Sequence, residues 1–241
     1  ITKSNAAFEI GDLPSEEVLA PCTQAVTAYY MTDMLAPIRE GDIVLVHAAA
    51  GGVGSILIQL AKNRGAKVIA KVGTTEKMTL VKELGADHVI NYREKDYYNE
   101  IKSYLEGKSL DISYNPVGGA TFKKDWKLLG AGGRLMLFGG SALSGGKFGV
   151  LSALNFLRKM GVIIPAGLMM SSRSILGVNM LKIADHRPMI MHEALGHIIE
   201  LYQSEKLKVC LGGVYHVNEI EKAHNLLESG KSTGKISVRW D

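Results

Sequence analysis

The sequence predicts an α/β protein built on a doubly wound parallel sheet. Three observations carry that prediction. From Asp42 onward short β-branched runs alternate with amphipathic stretches, glycines fall at the ends of the runs, and a glycine-rich hexapeptide joins the first run to the first amphipathic stretch. At 241 residues, 46% hydrophobic and 22% charged, the chain has the makeup of an ordered protein of one large domain or one and a half.

Ile43 to His47 reads as the first strand and Val53 to Asn63 as the first helix. Lys67 to Lys71 and a helix from Glu76 to Leu84 repeat the unit. The next strands are His88 to Ile90, Leu110 to Ser113 and Arg134 to Leu137, with helices over Tyr97 to Leu105 and Thr121 to Leu129. Apolar strands covered on both faces by crossover helices imply a parallel sheet. Right-handed crossovers bring all the strand carboxyl ends to one rim, where open α/β sheets bind ligands. Gly51, Gly73, Pro116 and Gly139 fall at that rim.

Ahead of this core, Pro14-Ser15-Glu16-Glu17 opens a short helical turn and Gln24 to Leu35 forms a lead-in helix. After Gly140 come a Gly- and Ser-rich turn and two apolar stretches, Val150 to Met160 and Val162 to Met170, broken by Arg158, Lys159, Gly161 and Pro165. A membrane span needs about 20 uninterrupted apolar residues, so the stretch reads as a buried lid or interface helix. Ser174 to Val178 is a further strand, Pro188 to Gln203 a long helix, Ile220 to Leu227 a shorter one, and Lys235 to Arg239 a last strand.

Composition excludes several functions. The net charge of +4 is spread along the chain without a basic stripe or interleaved aromatics, which argues against nucleic acid and leaves a mild bias toward anionic ligands. Cys22 and Cys210 lie far apart and out of metal-ligand spacing, the seven histidines are scattered, and no metal site is expected. A reducing, cytoplasmic compartment follows. No Gly-x-Ser-x-Gly elbow supplies a hydrolase nucleophile. The chain opens on Ile1 without a signal-peptide pattern and is expected to start inside a longer protein.

The hexapeptide Ala49-Ala50-Gly51-Gly52-Val53-Gly54 lies between a strand and a helix, as a Rossmann dinucleotide site requires. Ala49, Gly51 and Gly54 occupy the slots for the tight turn, for backbone approach to a pyrophosphate and for close helix packing. The free amides of the helix start then face the anion. NAD sites usually end the second strand in an acid that binds the ribose hydroxyls. Here the stretch is Lys71-Val72-Gly73-Thr74-Thr75-Glu76-Lys77: no acid ends the strand, Gly73 and Thr74 leave room for a 2′-phosphate, and Lys77 supplies a cation, which points to NADP(H). Glu76 reads as a first-turn acid serving the helix dipole.

Together with Thr27-Ala28-Tyr29-Tyr30, Gly85-Ala86-Asp87 and Val89-Ile90-Asn91-Tyr92, the stretch His47 to Gly54 resembles the zinc-independent quinone oxidoreductase family of the medium-chain dehydrogenases/reductases. The apolar insert, Ser174 to Asn179 and the ending Ser232-Thr233-Gly234-Lys235 look most like the branch containing vesicle amine transport protein homologues. The resemblance covers essentially the whole chain. It implies NADPH with Thr27 near the nicotinamide, Ala50, Gly51, Gly52, Val53 and Gly54 at the pyrophosphate, and Gly73, Thr74, Lys77 and Tyr92 at the adenosine phosphate end. Asn115, Val117, Phe138, Gly139 and Ser141 would line the cofactor at later strand ends, although Asn115-Pro116 by itself reads as a turn-fixing pair.

The resemblance also implies a layout: residues 1–24 as the end of a GroES-like β-rich catalytic domain, 25–206 as the Rossmann domain with the apolar insert at about 141–173, and 207–241 as the return to the catalytic domain. Most of the GroES-like part is absent, so the chain is expected to bind cofactor but to turn over slowly. The implied reaction is zinc-independent hydride transfer from NADPH to a quinone or an electron-poor alkene such as an enone or enal. No catalytic residue is assigned; Tyr29 and Tyr30 are weak candidates for a proton donor. The alternative is an NADPH-binding, membrane- or lipid-associated protein with little activity. The edge position of Ser174 to Val178 in the family implies a homodimer.

Overall fold

Ile43, Val44, Leu45 and Val46 are apolar in succession, a pattern that a strand can satisfy only when both its faces are covered. In the computed structural model, which describes residues 21–141 and 149–240, Val44, Leu45 and Val46 are fully buried at the centre of the sheet. β1 (Ile43–Val46) pairs in parallel with β2 (Lys67–Val72) on one side and with β4 (Leu110–Asn115) on the other. β3 (His88–Asn91) extends the sheet beyond β2, and β5 (Leu129–Leu137) and β6 (Ser174–Gly177) extend it beyond β4. The order β3-β2-β1-β4-β5-β6 is that of a doubly wound dinucleotide-binding sheet, with its switch point between β1 and β4.

The helices follow the predicted rhythm. α1 (Val26–Tyr29) is flanked by π-helical turns, Pro21–Ala25 and Tyr30–Leu35, which together make up the lead-in. α2 (Gly52–Asn63), α3 (Thr75–Glu83), α4 (Tyr97–Leu105) and α5 (Ala120–Leu128) connect β1 through β5. On one face of the sheet Ile56, Leu57, Ile58 and Leu60 of α2 pack with Val44, Val46, Val68 and Ile112. On the other, Ile101 and Leu105 of α4 and Phe122 and Leu128 of α5 meet Leu45, Ile69 and Leu135. Asp96 caps α4 by accepting hydrogen bonds from the Tyr98 and Asn99 amides.

Three expectations are corrected. The apolar insert forms two helices rather than one, α6 (Gly149–Met160) and α7 (Pro165–Ser171), with a largely exposed surface in the single chain: Val162 is 93% exposed, Met169 81% and Met170 89%. The run Ala153–Ser171 meets the length and composition of a membrane span, but the non-helical residues 161–164 interrupt it. β5 starts at Leu129, well before Arg134, because the chain leaves α5 directly into the sheet and its glycines 130, 132 and 133 hide the strand pattern.

The third correction concerns the end of the chain. After α8 (Met180–His186) and α9 (Pro188–Gln203), an unpredicted strand β7 (Leu211–His216) pairs in parallel with β8 (Lys235–Arg239), with α10 (Ile220–Glu228) between them. A side chain at Gly212 would meet the Thr233 carbonyl oxygen at 1.8 Å, and one at Gly234 the Cys210 oxygen at 2.0 Å, so glycine at both positions permits the pairing. The predicted turn at residues 14–17, and the rest of the segment before residue 21, lie outside the described residues, as does the turn at 142–148.

Ile112 sits at 0% exposure in β4 beneath α2. Ile112→Ala should lower stability by about 2–5 kcal/mol, read as a lower urea midpoint with an unchanged slope.

Candidate functional site

The turn after β1 is held by backbone constraints that fix its residue types. Ala48 adopts a left-handed conformation at φ +49°, and its carbonyl accepts a hydrogen bond from the Gly51 amide at 2.9 Å. The Ala49 amide donates to the Lys71 carbonyl at 3.1 Å, tying the turn to β2. A Cβ on Gly54 would lie 2.4 Å from the Ala48 oxygen and 2.7 Å from Ala49 Cα, so only glycine lets the first turn of α2 come this close. A Cβ on Gly51 would meet the same oxygen at 3.1 Å. The result is a cradle at the first amides of α2, where the helix dipole favours an anion.

Two cavities flank that cradle. One, of about 410 Å³, is lined by Thr23, Gln24, Thr27, Val53, Phe138 and Gly139 and by Val178 to Leu181. The other, of about 260 Å³, lies at the ends of β2 and β3 and is lined by Ala50, Gly51, Gly73, Lys77, Tyr92 and Arg93, with Gly230 and Ser232 arriving from the chain end. Nine predicted residues are thus brought together in two groups, with Gly51 and Val53 joining them across the turn. Gly52 lies between the groups under the Gln24 side chain, whose Cγ would stand 2.9 Å from a Cβ there.

At the smaller cavity a Cβ on Gly73 would press on the Tyr92 hydroxyl at 3.0 Å, so glycine keeps Tyr92 over the strand end. Lys77 donates to the Gly230 carbonyl at 2.7 Å. Burial and then the neighbouring Arg93 cation lower the Lys77 pKa, as expected of two cations sharing one small space. Thr74 precedes α3, and its side chain is engaged with the Glu76 carboxylate, which is held below its usual range by its own backbone amide and by Thr74. Glu76 therefore serves the helix start. The Gly234 amide donates to the Ala50 carbonyl at 2.9 Å, docking the chain end beside the turn.

Asn115 does not line a cavity with its side chain. It is fully buried, its Oδ1 accepts from the Val117 and Gly118 amides at 2.9 Å each, and its Nδ2 donates to Thr121 Oγ1 and to Asp125. It fixes the loop that Val117 occupies, because every polar atom of the amide is already engaged. That loop abuts the next: the Ser141 amide donates to the Pro116 carbonyl at 3.0 Å, and a Cβ on Gly139 would meet the same oxygen at 2.8 Å. Val117 and Ser141 reach the site through this contact rather than as cavity walls. Tyr29 is stacked on His197 with ring centres 5.4 Å apart, and burial and then Asp33 raise its pKa, which suits packing better than proton donation.

Sequence reasoning missed Gln24, Arg93 and Ser232. Arg93 had a signal, a cation immediately after Tyr92 at a strand end; Ser232 had none, since only the tertiary return of the chain brings it there.

A buried polar cluster lies beneath the cradle. Asp125, at 0% exposure, accepts from Tyr97 at 2.9 Å, Ser113 at 2.8 Å and Asn115 at 2.6 Å. His47 Nε2 is 2.9 Å from the same carboxylate. Lys71 Nζ is 3.1 Å from His47 Nδ1 and sits over the Tyr97 and Tyr92 rings at 4.1 and 4.8 Å. Burial alone would raise the Asp125 pKa, but His47, Ser113 and Tyr97 outweigh it and keep the carboxylate ionised. Burial lowers the His47 pKa, leaving a neutral imidazole whose Nδ1 accepts from Lys71. Burial also brings Lys71 down to about 8.

A strand-turn-helix cradle at the switch point of such a sheet defines a dinucleotide-binding α/β domain. Comparison with known proteins narrows the class. Residues 52–207 match the zinc-binding dehydrogenase family model. Quinone oxidoreductase 1 of Escherichia coli is 30% identical over 236 residues, which cover 97% of this chain and 68% of that protein. The zebrafish (Danio rerio) synaptic vesicle membrane protein VAT-1 homolog is 28% identical over 92% of this chain, which spans 46% of that relative. A mycobacterial protein solved in complex with NADPH superposes with a TM-score of 0.78 at 30% identity, over 94% of this chain and 65% of its own. The chain belongs to the medium-chain dehydrogenase/reductase family, among the quinone oxidoreductases. It spans about half to two thirds of these relatives. Among the described residues no group of three or more His, Cys, Asp or Glu side chains is arranged to hold a metal ion.

Two outcomes are expected. Gly54→Ala should destabilise the fold by about 1–3 kcal/mol, since the added methyl overpacks the turn, and calorimetry will read it as a lower Tm. The second concerns pH. The folded chain releases the Lys71 proton near pH 8, whereas a free lysine holds it to about 10.4. Between those values the unfolded chain binds more protons, so this residue makes stability rise with pH. Lys71→Met should therefore flatten the rise in Tm from pH 8 toward 10 relative to the parent.

Proposed function

We propose that this chain binds NADPH across the cradle and belongs to an enzyme that reduces a quinone or an electron-poor alkene such as an enone or enal. The observation that carries the cofactor choice is the pairing of Lys77 and Arg93 at the smaller cavity, where β2 ends in Val72 and Gly73 rather than in an acid. A 2′-phosphate would answer both cations, and the Ser232 hydroxyl adds a donor. The cradle amides of Gly52, Val53 and Gly54 would hold the pyrophosphate. The larger cavity, with Thr27, Phe138 and Gly139, would take the nicotinamide.

Bound in this way, NADPH supplies a hydride from C4. The chain's own residues would orient the ring, flank it with Val178 and Met180, and leave apolar space for a planar acceptor. The reaction is zinc-independent in this reading, because the acceptor's own carbonyl draws electron density from the alkene. This reading puts the protein in the cytoplasm.

The edge strand β6 and the exposed residues of α6 and α7 favour a homodimer that buries them. The same exposed faces, next to Arg158 and Lys159, are the observation behind a second reading, an NADPH-binding protein that lies on a lipid surface. Light scattering at twice the chain mass supports the dimer, and co-flotation with anionic vesicles would support the lipid reading instead.

The cofactor reading is tested by titration calorimetry with NADPH and NADH. NADPH should bind more tightly, and Lys77→Ala should cost about tenfold in its affinity while leaving NADH almost unchanged. Equal binding of the two, or equal losses in the variant, would remove the 2′-phosphate assignment.

A further inference from the structure

Asp125 is a buried carboxylate that no step of the proposed reaction uses. It lies on α5, behind the rim, where it cannot touch a bound dinucleotide. Its contacts nevertheless reach β1 through His47, β4 through Ser113 and Asn115, and α4 through Tyr97. A fully desolvated carboxylate is costly to keep unless each lone pair is answered. Here the donors answering it are the residues that carry the rim loops.

We propose that Asp125 is a positioning residue for the cofactor, setting the orientation of the Asn115 amide and through it the loop beside the nicotinamide cavity. An ionised Asp125 only accepts, so Asn115 must turn its NH2 group toward it, as the 2.6 Å contact shows. That choice aims the Asn115 carbonyl oxygen at the Val117 and Gly118 amides, which a flipped amide would leave facing another donor. With Pro116 to Gly118 fixed, the Pro116 carbonyl receives the Ser141 amide and sits against Gly139, which lines the nicotinamide cavity.

A second arm runs to the other end of the site. Lys71, attracted by Asp125, lies over the Tyr92 ring that walls the adenosine cavity. The groups facing Lys71 are His47, Asp125, Tyr97, Tyr92, Lys124 and Asp96. One carboxylate thereby steadies loops on both sides of the cradle.

The test rests on the NADPH reading and separates its failure from its own. The chain, Asp125→Asn, Asn115→Ala and the double variant are titrated with NADPH, and the amide 15N spectra of Val117 and Gly118 are recorded without cofactor. An asparagine at 125 can present its own NH2 to Asn115, so residue 125 no longer holds that amide in one orientation. Asp125→Asn should weaken NADPH binding about tenfold and shift both amides, and the double variant should bind no worse than Asn115→Ala, because the two act in one chain. If Asp125→Asn does not fold, Lys71→Met with Asp125→Asn removes both buried charges together and is read in the same way. Binding within about twofold of the parent, or losses that add in the double variant, would overturn the assignment while leaving the cofactor site intact. Failure of the parent chain to bind NADPH would overturn the cofactor reading, and this inference with it.

Discussion

The approach of α2 to the end of β1 governs the rest of the site. It depends on the missing side chain of Gly54, where even a methyl would stand 2.4 Å from the Ala48 oxygen. With the helix that close, its first amides open onto the rim between the two cavities, and the left-handed Ala48 turns the chain in the few residues available. A bulkier residue would push the helix away, widening the turn and separating the amides from the strand ends that hold Gly73, Phe138 and Gly139.

Beneath this turn the protein keeps charge where an apolar core would be simpler. Asp125 ionised, Lys71 protonated and His47 neutral sum to zero, and each is answered by neighbours, so the cluster avoids the cost of an unpaired buried ion. Buried ionic groups of this kind contribute specificity of arrangement more than net stability in the systems where that role is attested. Their position here, joining β1, β2, β4, α4 and α5 at the ligand-binding rim, gives them leverage over the loops above.

Most of the sheet was legible in the sequence because its strands are buried on both faces and read as continuous apolar runs. Ile43 to Val46 announces itself in this way, Val68 to Ala70 does so between two lysines, and α2 follows from the spacing of Ile56, Leu57 and Leu60. β7 was not legible: Gly212 and Gly213 interrupt it, and its pairing with β8 depends on glycine against backbone, which no hydrophobic period records. At the site, local signals pointed to Gly51, Gly54, Gly73 and Lys77, and the family resemblance to Tyr92. They could not say that Asn115 faces inward, since that is decided by Asp125 ten residues away, nor that Ser232 arrives from the far end of the chain.

In the proposed complex a phosphorylated dinucleotide spans the Gly51–Gly54 cradle with its 2′-phosphate between Lys77 and Arg93. The most direct measurement is an amide 15N titration of the chain with NADPH and with NADH. The account predicts that both cofactors shift the Gly52, Val53 and Gly54 amides and that NADPH alone adds large shifts at Lys77 and Arg93. Shifts confined elsewhere, or identical at Lys77 and Arg93 for the two cofactors, would contradict it.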